Sequence, residues 1–140
     1  MQRLFDWLDK NQNLGLVLIR LFAGIRLVYG VADNIMSWER MLEFSTFLQS
    51  FHFPFPLAAA IVSVYAQALA GILFITGWKV RYAAILMVLN FTTALITVHR
   101  NDTFEQMTPA LALLFISILL LFTGNKIGSN KLTDNTPTGI

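Results

Sequence analysis

The 140-residue chain has no cysteine. That excludes disulfides, thiol redox chemistry, Cys-ligated zinc and iron–sulfur clusters carried by this chain alone. Charge is also scarce, at 13% of residues, against about 25% in an ordinary soluble domain. The net charge of +2 is not gathered into a basic patch with interleaved aromatics, which excludes a nucleic-acid surface. No Gly-rich phosphate loop and no Ser-His-Asp arrangement is present, so no catalytic residue is assigned. His52, His99, Glu39, Glu43 and Asp102 fall on one side of the apolar stretches, at or beyond their ends, without helical ligand spacing, and no metal site is expected from them.

What the chain does have is apolar length. Hydrophobic residues make up 56% of it, and the mean hydropathy is +0.62. The charged residues cluster, leaving apolar runs at residues 14–33, 57–77, 80–99 and 109–123. Runs of that kind suit a hydrocarbon core about 30 Å thick. The expected fold class is all-α: an integral membrane four-helix bundle, with an amphipathic helix between the first and second transmembrane helices. The last run is short, and its start has two readings. Thr108 can cap a helix with Pro109 at its first position, or Thr103 can open a capping box with Gln106 and leave Pro109 inside.

The flanking segments divide the chain further. Residues 1–13 carry Leu4, Phe5, Trp7 and Leu8 among Arg3, Asp6, Asp9 and Lys10. They are expected as a cytoplasmic interfacial helix, not a cleaved signal peptide, because Arg20 and Arg26 interrupt the apolar run that follows. In residues 34–56, Trp38, Met41, Leu42, Phe44, Leu48 and Phe51 approximate a helical stripe with Ser37 as its cap. That predicts an amphipathic helix lying on the outer membrane surface or lidding the bundle, stopped by Phe53-Pro54-Phe55-Pro56. Residues 125–140 are expected as a polar cytoplasmic tail. Arg3, Lys10, Lys79, Arg81, Lys126 and Lys131 fall on one side, and only Arg40 and Arg100 in the loops on the other. The bias places both termini in the cytoplasm and the chain in the inner (plasma) membrane as a multi-pass protein.

Polar residues near the middle of the spans are the functional signal, because they are costly in lipid and usually face protein or a wet cavity. Arg26, Gln67 and Asn90 lie near the centres of the first three runs. On the first, Phe22, Arg26, Tyr29, Gly30 and Asp33 recur at helical spacing. On the second, Ala59, Ser63, Ala66 and Ala70 form a small-residue ridge flanked by Gln67 and Gly71, and on the third Asn90, Thr93, Ala94 and Thr97 share a side. The candidate ligand-binding set is therefore Arg26, Tyr29, Asp33, Gln67, Asn90 and Thr93. His99 aligns with Thr92 on nearly the opposite side and is expected outside it. Arg20, about 9 Å from the cytoplasmic end of its run, is expected to snorkel to headgroups. For Arg26, a ligand site, polar glue between helices and lipid contact all remain open.

Leu18-Ile19-Arg20-Leu21 with Gly24 and Gly30, Phe53-Pro54-Phe55-Pro56, Gln67-Ala68-Leu69-Ala70-Gly71-Ile72-Leu73 leading to Gly77, and Arg81 resemble motifs of the DoxX family, with a looser echo in residues 124–129. The resemblance implies a four-helix inner-membrane protein, some relatives of which are subunits of a thiosulfate:quinone oxidoreductase. Gln67 stands where the family usually has glutamate, and Asp33-Asn34 where it often has lysine. Three functions follow as alternatives. One is an accessory subunit holding a quinone for a partner oxidoreductase subunit. The others are a lipid or small-anion binder or carrier, and a purely structural assembly protein. Membrane lipid is the general partner expected, a homo-oligomer is possible, and quinone is the one cofactor suggested.

Overall fold

The computed structural model describes residues 1–125, so all but the first residue of the expected polar tail and most of the 124–129 echo lie outside the described residues. Six helices follow in order: α1 (Gln2–Lys10), α2 (Gln12–Met36), α3 (Trp38–Ser50), α4 (Pro56–Thr76), α5 (Val80–Thr97) and α6 (Phe104–Thr123). Among the described residues, α2, α4, α5 and α6 are the helices long and apolar enough to cross a membrane. The protein is an all-α, multi-pass membrane bundle. Helix α1 has no buried residue and leaves Leu4, Phe5, Trp7 and Leu8 exposed, as an interfacial helix does.

The start of α6 follows the longer of its two readings. Thr103 Oγ1 accepts from Gln106 N at 3.4 Å, and Gln106 Oε1 accepts from Thr103 N at 3.0 Å. This capping box places Pro109 inside a 20-residue helix, long enough at 1.5 Å per residue to span about 30 Å. Thr108 Oγ1 donates to Phe104 O in the same turn.

Packing pairs α2 with α4, and α5 with α6, while α3 folds back onto α4 and α2. The α2–α4 crossing is set by two glycines. A Cβ on Gly24 would fall 2.7 Å from Gly71 O, and one on Gly71 would fall 2.8 Å from Gly24 O. No other residue lets the backbones approach so closely. One core holds Ala23, Leu27, Ala70, Phe74, Met87 and Leu120 toward the end of the bundle where α2 begins and α6 ends. A second, at the opposite end, joins Met41 and Leu48 of α3 to Val31, Ala60 and Val64. Helix α3 is thus seated in the bundle by two buried side chains, with Trp38 and Leu42 left exposed.

Candidate functional site

The glycine contact decides which face of α2 is inside. Arg20, Ala23, Gly24, Leu27 and Val31, spaced three and four apart, are the buried residues of that helix. Arg26 lies two positions past Gly24, about 200° round at 3.6 residues per turn. Arg26, Tyr29 and Asp33 are accordingly exposed on the outer face, Tyr29 at 79%. A Cβ on Gly30 would meet Arg26 Nη1 at 2.7 Å, so the side chain lies along the helix toward the α3 end. The structure does not bring these three residues to Gln67, Asn90 and Thr93. Arg20 departs from expectation in the other direction. Its side chain reaches the end of the bundle, as snorkelling requires, but is only 9% exposed and lies against the α4–α5 turn.

Gln67, Asn90 and Thr93 do come together. They line a cavity of about 460 Å³ between α4 and α5, roofed by Phe44, Phe47 and Leu48 of α3. Ser63 links the two amides: its Oγ donates to Asn90 Oδ1 at 2.8 Å and accepts from Gln67 Nε2 at 3.2 Å. Among the described residues this leaves Asn90 Nδ2 as a donor and Gln67 Oε1 as an acceptor, both without a protein partner. Thr93 is more committed, because its hydroxyl donates to Leu89 O at 2.8 Å. It offers a ligand only lone pairs.

His99 also lines this cavity, contrary to its expected place. The helical wheel fails there because α5 stops at Thr97, and His99 N bonds back five residues to Ala94 O at 3.0 Å. The widened turn swings His99 round. Its Nδ1 lies 2.6 Å from Asp102 Oδ2, so a carboxylate at Asp102 takes the Nδ1 hydrogen and leaves Nε2 for a ligand. No sequence signal short of that helix end separates His99 from its ideal-wheel position. Ser63 was legible as a small residue on the ridge, but its role as the link needed the facing helix.

The chemistry of the cavity is apolar wall with few polar points. Phe44, Phe47, Phe53 and Phe91 supply aromatic surface, Val62, Leu86 and Leu89 aliphatic surface. Among the described residues no group of three metal-ligating side chains gathers anywhere.

The DoxX family model matches residues 15–100. The chain belongs to the DoxX family. The match covers the whole cavity wall contributed by α3, α4 and α5, and stops before Asp102 and α6. No curated protein and no solved structure matches the chain. In this DoxX chain the polar cluster includes an amide at Gln67, which can donate and accept hydrogen bonds but cannot exchange a proton.

Proposed function

We propose that this DoxX chain holds a quinone-class molecule in the α3–α4–α5 cavity, as an accessory subunit of an inner-membrane oxidoreductase. The observation that carries the reading is the Ser63 link, which leaves one amide donor and one amide acceptor facing a largely apolar chamber. A quinone needs donors for its carbonyl oxygens, and a quinol needs acceptors for its hydroxyls. The cavity volume of about 460 Å³ falls within the usual range for small-molecule sites. His99, held by Asp102, adds a second polar point at the α3 end, nine residues along the chain from Asn90. The chamber also borders exposed Val62 and Leu89, an entry from lipid for an apolar tail.

The binding set under this reading is Gln67, Asn90 and Thr93, joined by Ser63 and His99. Arg26, Tyr29 and Asp33 lie on the outer face and are not needed for it. The chain has no cysteine, so the electron source belongs to a partner subunit. Both termini face the cytoplasm under the Lys and Arg bias, which puts α3 and His99 on the outer side.

The test is extraction of quinone from protein purified out of native membranes. Wild type retains quinone at about one per chain. Asn90→Leu and Ser63→Ala reduce retention at least tenfold, which is the effect of losing about 1.4 kcal/mol. Arg26→Leu retains it in full. Wild-type protein that carries phospholipid and no quinone would sink the proposal.

A further inference from the structure

At the other end of the bundle lies a cation that the cavity does not use. We propose that Arg20, beneath the α4–α5 turn, is the base of a binding site for a phosphate oxyanion, with Lys79 at its rim. Arg20 is 91% shielded from solvent, being 9% exposed. Its Nε is buried without a hydrogen-bond partner, and among the described residues no carboxylate pairs with its guanidinium. A guanidinium is charged at any physiological pH, and a buried charge without a counter-charge is costly. An arginine kept only for structure would be expected to bond backbone carbonyls. Arg81 does so, donating from Nη2 to Phe122 O at 3.4 Å; Arg20 does not.

The turn above Arg20 is shaped around the guanidinium. Gly77 has φ +76°, and a Cβ there would fall 2.8 Å from Arg20 Nη1 and 3.0 Å from Nη2. The backbone conformation demands glycine there, and the guanidinium fills the space a Cβ would take. Two residues on, Lys79 caps α5 without a side-chain hydrogen bond. Val80 N is taken by Asn125 Oδ1 at 3.4 Å, and the rest of that helix N-terminus adds a potential favouring anions. Trp78 and Tyr82 are exposed beside it, with Lys79 Nζ 4.9 Å from the Trp78 ring centroid, the residues of a membrane–water boundary. Asp6 and Asp9 of α1 lie at the same end but are exposed and form no ion pair among the described residues. The planar fork of arginine matches phosphate oxygens bidentately. The oxyanion belongs either to the headgroup of an anionic phospholipid or to free phosphate.

Native mass spectrometry of the full chain in detergent tests this, using phosphatidylglycerol, phosphatidylcholine and inorganic phosphate as separate probes. Wild type is expected to retain one phosphatidylglycerol per chain at least tenfold more tightly than phosphatidylcholine. Arg20→Gln abolishes that preference, Arg20→Lys weakens it severalfold, and Arg26→Gln leaves it unchanged. A free-phosphate site instead shows inorganic phosphate stabilising wild type, but not Arg20→Gln, against chloride at matched ionic strength. If Arg20→Gln does not fold, Lys79→Gln is expected to weaken phosphatidylglycerol retention severalfold. Retention that is the same in these variants as in wild type, or no preference for either anion in wild type, overturns the site.

Discussion

Arg26 extends from the middle of α2 along Gly30, which has no side chain to block it. It has no hydrogen bond or ion pair among the described residues. A central arginine costs about 2.5–3.5 kcal/mol on the insertion scale, and apolar neighbours on the same helix offset that at about 0.3–0.6 each. Arg26→Leu is therefore expected to leave the thermal unfolding midpoint in detergent unchanged or higher. A fall of many degrees would mean instead that a partner helix covers this face. Arg20, six residues earlier, sits on the helix's buried face. The cost of a central charge was readable from the chain. The direction each arginine faces was not, because it depends on how α2 is rotated about its own axis.

At the scale of helices, the rotation of α2 is decided where its backbone meets α4. Gly24→Ala would drive a Cβ to 2.7 Å from Gly71 O and 3.1 Å from Ile75 N, which are backbone atoms that cannot step aside. The expected loss is on the order of 1–3 kcal/mol, read as a lower unfolding midpoint. Gly15→Ala, with nothing within 4 Å of the added Cβ, is the control. It is expected to gain rather than lose stability, since alanine is favoured in helices by up to about 1 kcal/mol. Thr103→Ala removes the hydroxyl that accepts from Gln106 N and is expected to cost about 1 kcal/mol by the same assay. The four spans and α3 were all legible from apolar runs and a helical stripe. The small-residue ridge on α4 was legible too, but it serves two purposes. Ala70 and Gly71 pack against neighbouring helices, while Ala59, Ser63 and Ala66 line the cavity. A ridge of small residues has the same sequence signature whether it receives another helix or leaves space beside it.

Across the whole molecule, the cavity and the Arg20 turn lie at opposite ends of the bundle. The proposed orientation puts the Arg20 end in the cytoplasm, the side on which anionic lipids carry a negative surface potential. Fusing alkaline phosphatase and a fluorescent protein in turn to each terminus checks the orientation. Fluorescence without phosphatase activity at both ends is expected, and phosphatase activity at either end reverses the placement of both sites. Membrane insertion, helix number and helix type follow from the sequence by itself, because the bilayer selects on hydropathy and run length, which are properties along one dimension. Only the tertiary structure decided which polar residues share an interior. Helix rotation is set by the closest backbone approach, here Gly24 on Gly71, and that contact turns Arg20 inward and Arg26 out. The unwound end of α5 likewise brings His99 to Gln67 and Asn90 around one chamber, because an ideal helical wheel stops applying where the hydrogen-bond ladder ends.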